Sequence, residues 1–163
     1  MKRIGKSFEM IRYSVVHKKI PVKIYKEIHR SLPIVCADLV VTDGKRFFLV
    51  KRKNKPEAGK WWFPGGRVFK NELLKEAALR FLKRETGLNV GAAKPLGFHE
   101  YFAAPGYFPG TNAHTISFVF TVKVSENSKF RLDEQSSGAK WFSRINPAWH
   151  PYLKKFLKEA GFK

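Results

Sequence analysis

The chain has 163 residues, of which 44% are hydrophobic and 15% aromatic, and this composition excludes a disordered polypeptide and favours one domain with its own core. No apolar run is long enough to span a membrane, and the basic start is not followed by the apolar segment of a signal peptide. We therefore expect a cytoplasmic protein without a membrane partner. The single cysteine, Cys36, cannot form an internal disulfide and is expected to be a buried thiol within a strand.

The formal net charge of +19 is strongly basic for a chain of this size. A basic excess attracts polyanions such as nucleic acids, nucleotides and anionic membrane surfaces. The lysines are spread along the sequence, which favours an anionic small ligand and a generally basic surface over a dedicated nucleic-acid-binding stripe. A nucleic-acid partner is possible but is the less favoured interpretation.

The hydrophobic pattern predicts an α/β (α+β) domain at residues 33–163, preceded by a basic segment at residues 1–32. Asp43-Gly44 is a strong hairpin signal, Gly87 is typical of a helix C-terminus, and Asn146 fits the N-cap of a closing helix. The order of the elements is typical of a mixed sheet with helices packed on it. The predicted elements are a helix at 20–31, strands at 34–42, 46–52 and 61–63, a glycine turn at 64–67, a helix at 71–86, strands at 96–103, 114–124 and 139–142, and a helix at 146–160.

Glu85 is a carboxylate on the apolar side of the predicted helix at 71–86. At about 100° per residue it falls among the apolar side chains, not on the polar side with Glu72. An ionised carboxylate that faces a core is costly unless a cation or several donors compensate it. The glycine turn supplies a cation in Arg67, so this region could hold a divalent metal against phosphates. A structural salt bridge from Glu85 to an arginine such as Arg52 is the alternative.

The stretch from Gly66 to Leu88 resembles the Nudix box, whose pattern is G-x5-E-x7-R-E-U-x-E-E-x-G-U, with U a bulky aliphatic residue. The match includes Glu72, Arg80 and Glu85, and a Pro-Gly-Gly entry precedes it. Resemblance to the Nudix hydrolase superfamily implies an α/β/α sandwich with a mixed β-sheet. It also implies a divalent metal, usually Mg²⁺ with Mn²⁺ possible, and cleavage of a nucleoside diphosphate linked to another group.

Two positions depart from the box, because Phe81 and Arg84 stand where the pattern has Glu. Glu85 remains as the one box carboxylate clearly placed for metal, so a site with several metal ions is not expected. The same two glutamates are absent from the GDP-mannose mannosyl hydrolases, which residues 20–145 resemble. That resemblance implies attack on the sugar C1 carbon, release of GDP and mannose, and a homodimer in which residues 20–31 are a plausible dimer element.

The resemblance also assigns roles to residues by their position in the sequence. Glu85, Gln135 and the Gly65 carbonyl would be the metal ligands, and such oxygen ligands suit Mg²⁺ or Mn²⁺. Arg52, Arg67 and Arg80 would bind the diphosphate and stabilise the charge that develops on the leaving group. Arg52 is therefore also expected to be a catalytic residue. The residues expected to bind substrate are Asp38, Lys51, Arg52, Arg67, Arg80, His114, Tyr25 and Tyr101.

Ser136 stands where the GDP-mannose enzymes have the His that is their expected general base. A neutral serine cannot accept a proton at pH 7 without a base of its own. Glu100 and His99 are the expected catalytic substitutes and His114 is the third, although histidines within strands are more commonly structural. Tyr107, like Tyr101, could stack on a nucleobase or pack in the core.

Three functions remain open from the sequence. The first is magnesium-dependent hydrolysis of a nucleoside diphosphate sugar resembling GDP-mannose, with attack at carbon. The second is cleavage of the diphosphate bond in another nucleoside diphosphate derivative, which the exchange of His for Ser136 motivates. The third is a non-catalytic nucleotide-binding or RNA-binding module, which the charge of +19 and the missing carboxylates motivate.

Overall fold

The computed structural model describes residues 13–88, 90–126, 128 and 136–163. The expected metal ligand Gln135 lies outside the described residues, as does most of the basic segment that precedes the first helix. Among the helices that the structure describes, none has the length and apolarity of a membrane span. The elements are α1 (Val22–Ser31), β1 (Ile34–Thr42), β2 (Phe47–Arg52), β3 (Trp61–Trp62), β4 (Gly65–Arg67), α2 (Leu74–Thr86), β5 (Lys94–Ala103), β6 (Ala113–Lys123), β7 (Ser136–Phe142) and α3 (Pro151–Glu159).

The strands form one mixed sheet with a helix on each face. The central path of the sheet runs β3-β2-β1-β6-β5, with β4 added to β1 and β7 added to β2. Strands β1 and β6 are parallel, and the other pairs are antiparallel. Helix α2 packs on one face through Ala77, Ala78, Phe81 and Leu82. Helix α3 packs on the other face through Leu153, Phe156 and Leu157. The predicted α/β/α sandwich is therefore confirmed.

Strands β1 and β2 separate soon after the hairpin turn, and this separation makes room for a cleft. Their register pairs only Val41 with Phe48 and Thr42 with Phe47. Beyond that point the chain from residue 61 to residue 67 lies between them, with β3 on β2 and β4 on β1. The outer halves of β1 and β2 therefore present their side chains to a common space.

Three local predictions were wrong, and each has a physical reason. The glycine turn at 64–67 is largely strand β4, because its backbone pairs with β1. Helix α2 begins at Leu74 instead of residue 71, because Asn71 has a left-handed backbone with φ of +68°. Helix α3 begins at Pro151, because His150 Nδ1 caps it by accepting the Tyr152 N–H at 3.1 Å. Asn146 instead caps the preceding turn by accepting the Ala148 N–H at 2.9 Å.

Candidate active site

A cleft of about 520 Å³ opens where β1, β2, β4, α1 and α2 meet. A volume of this size suits a ligand as large as a nucleotide derivative. Many of the residues expected from the sequence line this cleft, although they come from distant parts of the chain. They are Tyr25, Asp38, Arg52, Gly65, Arg67, Arg80, Glu85 and Tyr101.

Glu85 lies on the buried face of α2, as the helical periodicity predicted. The residue is only 5% exposed, although its carboxylate reaches the wall of the cleft. Arg84 Nη2 donates a hydrogen bond to Glu85 Oε1 at 3.3 Å. A buried carboxylate that lines a cleft and has a guanidinium beside it is a plausible ligand for a cation or a partner for a charged substrate.

Glu85 and Gly65, the two described residues that are expected to hold a divalent ion, line the same cleft. Gly65 must be glycine because an added Cβ would lie 2.2 Å from Asp38 Oδ1 and 2.5 Å from the Ala37 carbonyl oxygen. Within the described ranges, no group of three or more His, Cys, Asp or Glu side chains could hold a metal. One carboxylate and backbone oxygen suit an ion such as Mg²⁺, which keeps several waters and shares the phosphates of its ligand.

Arg80 is held by Glu72 in a partly buried ion pair. The Nε and Nη2 groups of Arg80 donate to the two carboxylate oxygens of Glu72, and Nη2 lies 2.8 Å from Oε2. Nη2 also donates to the Arg67 carbonyl oxygen at 3.1 Å, and Glu72 accepts the Phe69 N–H at 2.9 Å. Burial alone would raise the pKa of Glu72, but Arg80 and the Phe69 N–H outweigh burial and lower that pKa. Most of the donors of Arg80 therefore fix the segment between β4 and α2.

Arg52 and Arg67 are cleft arginines whose guanidinium groups lie over aromatic rings, as those of Arg80 and Arg84 also do. Arg52 Nε donates to the Pro56 carbonyl oxygen at 3.0 Å, and its guanidinium lies 5.8 Å from the Trp62 ring centroid. The Arg67 guanidinium lies 5.2 Å from the Tyr25 ring centroid. Stacked guanidinium groups keep their edges available for phosphate oxygens. These two arginines are therefore well suited to bind a diphosphate.

Asp38 is a second buried carboxylate of the cleft, and its partners are hydroxyl groups. Tyr152 donates its hydroxyl proton to Asp38 Oδ2 at 2.6 Å, and the Ser117 hydroxyl is also hydrogen-bonded to Asp38. Burial raises the pKa of Asp38, and these hydroxyl groups together with Arg52 compensate only in part. A carboxylate with a raised pKa inside a cleft has the properties of an acid–base group.

Glu57 and Tyr101 form another polar part of the cleft wall. The Tyr101 hydroxyl donates to Glu57 Oε1 at 2.7 Å, and Lys60 Nζ lies 2.5 Å from Glu57 Oε2. Burial would raise the pKa of Glu57, but Lys60 and Tyr101 outweigh burial and lower that pKa. Tyr101 also contacts the Trp62 ring, with 5.6 Å between their centroids. This group lies next to Arg52, which contacts the same tryptophan.

Aromatic rings from α1 and from the loop after β5 form a separate cluster beside Arg67. Tyr25 and His29 on α1 have ring centroids 4.6 Å apart, and His29 stacks on Tyr107 at 5.6 Å. Phe108 completes this cluster with contacts to both α1 rings. Tyr25, His29 and Tyr107 line the cleft. Flat aromatic surfaces of this kind can stack on a nucleobase.

The structure does not bring four of the expected residues to the cleft wall. Lys51 is exposed on β2, and Glu100 is exposed on the outer face of β5. His114 stacks on Phe102 and lies 4.0 Å from Glu100 Oε1. His99 stacks on Tyr152 at 5.0 Å under α3, where burial and nearby cations lower its pKa. Glu100 points away from the cleft because successive residues of a strand face opposite sides, and Tyr101 faces inward.

Several residues of the cleft wall were not expected from the sequence. Glu57 has a left-handed backbone with φ of +68° in the loop after β2, and no motif marks it. Tyr152 reaches Asp38 from a helix 114 residues further along the chain, so local patterns carry no signal for this contact. Cys36 is half-buried at the cleft wall, and burial raises the pKa of its thiol, which agrees with an unreactive side chain.

Comparison with known proteins identifies the family. The sequence profile of the NUDIX domain matches residues 32–159. The chain is 32% identical over 140 residues to low-salt glycan biosynthesis protein Agl8 of Haloferax volcanii. The aligned region covers 85% of this chain and 89% of that protein. It is also 32% identical over 137 residues to the ADP-ribose pyrophosphatase of Methanocaldococcus jannaschii, with 83% of this chain and 76% of that protein covered.

Solved structures share the fold. A MutT Nudix hydrolase from Burkholderia pseudomallei has a TM-score of 0.67 and 24% identity, with 79% of this chain and 98% of that chain covered. The NUDIX domain of Shewanella oneidensis NrtR, solved with ADP ribose, has a TM-score of 0.56 and 20% identity over 85% of this chain and 88% of that chain. The chain therefore belongs to the Nudix hydrolase family.

Proposed function

We propose that the protein hydrolyses a nucleoside diphosphate sugar resembling GDP-mannose and releases the nucleoside diphosphate and the free sugar. The observation that carries this proposal is the order of chemistry along the cleft wall. Two arginines suited to bind phosphate lie between two different groups of side chains. On one side is an aromatic cluster suited to a nucleobase, and on the other is a polar group that contains carboxylates. A nucleobase, a diphosphate and a sugar match these three parts.

In this proposal the phosphates bind to Arg52 and Arg67. Tyr25 and Tyr107 stack on the nucleobase. The carboxylates of Glu57 and Asp38 accept hydrogen bonds from the hydroxyl groups of the sugar, and the Tyr101 hydroxyl is a further hydrogen-bond partner for the sugar. Planar guanidinium groups bind phosphate oxygens in pairs, and they stabilise the charge that develops on the departing diphosphate. Arg80 supports this arrangement by fixing the segment that carries Arg67.

Glu85 and the Gly65 carbonyl are proposed to hold one Mg²⁺ or Mn²⁺ ion, with Gln135 as a further ligand. Such an ion, when bound, supplies positive charge that stabilises the diphosphate as a leaving group. The chemistry of the described donors supports this part of the proposal, because both are hard oxygen ligands.

Asp38 replaces Glu100 and His99 as the proposed proton acceptor, because Asp38 lines the cleft and those two residues do not. A water molecule attacks the anomeric carbon and gives a proton to Asp38. The bond between that carbon and the bridging oxygen breaks, and the oxygen leaves with the electron pair as part of the diphosphate. The raised pKa of Asp38 makes it a better proton acceptor than an ordinary aspartate.

The names of the similar proteins support the substrate class. Agl8 of Haloferax volcanii is a protein of glycan biosynthesis, which is chemistry that involves activated sugars. The relative from Methanocaldococcus jannaschii acts on ADP-ribose, which is a nucleoside diphosphate joined to a sugar. Both names are consistent with a cleft that binds a base, two phosphates and a sugar.

The test is hydrolysis of GDP-mannose in oxygen-18 water with Mg²⁺, followed by mass spectrometry of the products. Attack at carbon places the label on mannose and leaves GDP unlabelled. Label on a phosphate, with guanosine monophosphate and a sugar phosphate as products, would instead establish the second candidate function, cleavage of the diphosphate bond. The similarity to an ADP-ribose pyrophosphatase is the observation that favours this second candidate. A panel that includes ADP-ribose and UDP-sugars identifies the preferred base.

We also propose a homodimer in which α1 takes part. No residue of α1 is buried, and Val22 and Ile24 are 68% and 55% exposed. A helix with exposed apolar side chains is a reasonable element for self-association. Light scattering coupled to size-exclusion chromatography measures the mass in solution. A change of Ile24 to Asp should shift a dimer towards the monomer mass of 18.8 kDa.

A further inference from the structure

A second pocket, with a volume of about 190 Å³, lies outside the cleft. It is lined by Lys60, Trp61, Ala148, Trp149 and His150, whereas the cleft is lined by a different set of described residues. The proposed function therefore does not use this pocket. Its volume is below the roughly 300–1,000 Å³ of pockets that hold drug-sized ligands, so it suits a molecule as small as one substituted ring.

Two tryptophan rings form the apolar part of the pocket wall. Trp61 on β3 and Trp149 in the turn before α3 are both half-buried. Both indoles make edge contacts with Phe142, whose ring centroid lies 5.1 Å from that of Trp61 and 4.9 Å from that of Trp149. Trp149 also contacts Phe47 edge-on, at 5.9 Å. Because neighbouring rings hold both indoles, the wall is formed before a ligand binds, and its flat surfaces favour a flat ligand.

The polar side chains of the pocket are hydrogen-bond donors. His150 Nδ1 accepts the Tyr152 N–H at 3.1 Å, so the neutral ring carries its proton on Nε2. Burial and nearby lysines lower the pKa of His150 more than Glu57 raises it, so the ring is neutral at pH 7. The indoles of Trp61 and Trp149 can only donate. The ligand that matches these walls is therefore rich in acceptors.

Lys60 supplies positive charge at the pocket. Its side chain is 64% exposed, and its ammonium group pairs with Glu57 Oε2 at 2.5 Å. An ammonium group has three N–H donors, so Lys60 can contact Glu57 and a second acceptor together. Among the described residues that line the pocket there is no Asp or Glu, and the whole chain carries a net charge of +19. Charge complementarity therefore favours an anionic ligand.

We propose that this pocket binds a small planar carboxylate, with its flat body against Trp61 and Trp149 and its carboxylate facing Lys60 and His150. The indoles select for shape, and the ammonium and imidazole donors select for charge. The inference is independent of the proposed function, because the pocket and the cleft are lined by different described residues.

The experiment is a titration of the ¹⁵N-labelled chain with sodium benzoate, followed through the indole N–H signals in ¹H–¹⁵N correlation spectra. The four tryptophans are Trp61, Trp62, Trp141 and Trp149, and four variants with one Trp replaced by Phe assign their signals. The signals of Trp61 and Trp149 should shift and saturate with a Kd on the order of 1 mM, as for other ligands of this size. Trp141 packs against the α2 side of the sheet and is the internal reference.

Ala148→Phe tests the location of the ligand. This change fills the pocket from an exposed position and keeps all four tryptophans, so the saturable shifts should disappear. Ala92→Phe, at an exposed position before β5, is the matched control and should bind benzoate as the wild type does. Circular dichroism confirms that each variant is folded before its binding is compared.

The role of charge is tested with a neutral ligand and with variants in both directions. Benzamide should bind the wild type about fivefold more weakly than benzoate, and Lys60→Gln should weaken benzoate binding by a similar factor. Lys158→Gln, at an exposed position of α3, should change it less than about twofold. Glu57→Gln frees the Lys60 ammonium from its carboxylate partner and should strengthen benzoate binding by up to about fivefold.

Four results overturn the inference. They are the absence of saturable shifts of Trp61 and Trp149 at benzoate concentrations up to about 20 mM, shifts confined to Trp62 beside Arg52 in the cleft, equal affinity for benzoate and benzamide, and unchanged benzoate affinity in Ala148→Phe. The comparison of benzoate with benzamide uses the wild-type chain alone, so it decides the charge preference even if a variant fails to fold.

Discussion

Asp38 and Glu85 are two carboxylates of equal burial on two walls of one cleft, and their surroundings are opposite in kind. Each is 5% exposed. Glu85 on α2 has the Arg84 guanidinium as a partner, whereas Asp38 on β1 is hydrogen-bonded by the neutral hydroxyl groups of Tyr152 and Ser117. A cation stabilises the charged form of an acid far more than a hydroxyl group does, so equal burial leads to different chemistry. This contrast supports the proposed roles, which are charge binding for Glu85 and proton transfer for Asp38.

The largest effect on activity is expected from Glu85→Gln, which removes the negative charge of Glu85 from the side of the cleft that α2 forms (the α2 wall). Hydrolysis should fall about 10³-fold, because the amide cannot replace a carboxylate ligand opposite the diphosphate. Steady-state kinetics at saturating Mg²⁺ measure this change. Glu159→Gln, at an exposed position of α3, is the control for loss of one negative charge. If Glu85→Gln retains activity within a few-fold of the wild type, the Glu85 carboxylate does not take part in the reaction.

Glu72→Gln tests whether the α2 side of the cleft depends on its partly buried ion pair. Loss of the charge weakens both hydrogen bonds that Arg80 donates to Glu72, and the free energy of unfolding should fall by about 3 kcal/mol. Glu76→Gln, on the exposed side of the same helix, should cost less than about 1 kcal/mol. Urea denaturation followed by circular dichroism measures both.

The contribution of Glu72 also has a defined pH dependence. Its pKa is lowered in the folded protein, so the stabilisation is present above the unfolded pKa of about 4.3. It is lost as the pH falls through the lower folded value. The difference in unfolding free energy between wild type and Glu72→Gln should therefore shrink below about pH 4. A constant difference across that range would contradict the lowered pKa.

Asp38→Asn tests the other wall and should lower kcat about 10²-fold, which is a typical contribution of a general base. In the wild type, kcat/KM should rise with pH through a value above the ordinary pKa of about 3.9, because the base acts when deprotonated. Asp38→Asn should lose this rise of kcat/KM with pH, which is the acid limb of the pH profile. If Glu100→Gln lowers kcat more than Asp38→Asn does, the proton acceptor is Glu100 instead.

The smallest effect is expected from Tyr152→Phe, which removes one hydroxyl group from Asp38. The unfolding free energy should fall by about 1 kcal/mol for the lost hydrogen bond. The hydroxyl of Tyr152 stabilises the charged form of Asp38, so its removal should raise the pKa of Asp38 further and move the acid limb to higher pH. If the acid limb lies at the same pH in the wild type and in Tyr152→Phe, ionisation of Asp38 does not cause it.

The sequence predicted the parts of the site that follow from local periodicity. Helical spacing placed Glu85 on the buried face of α2, and the apolar run at 34–42 placed β1 at its observed bounds, Ile34–Thr42. The same alternation separates Glu100 from Tyr101, so one side chain of a neighbouring pair had to point away from the cleft. Local rules gave no warning of β4, because two adjacent glycines are as typical of a turn as of a strand in close contact with β1.

By itself the sequence determined the order of the elements, the family to which the chain belongs, and the inward direction of one acid on α2, because these depend on neighbouring residues and on motif spacing. Only the tertiary structure decided which groups surround that acid and which carboxylates share its cleft. Asp38 meets Tyr152, 114 residues away, and Arg67 meets Tyr25, because β1 and β2 separate and the folded sheet brings α1, α2 and α3 around the gap. The chemistry of the cleft depends on those distant partners, and no local pattern specifies them.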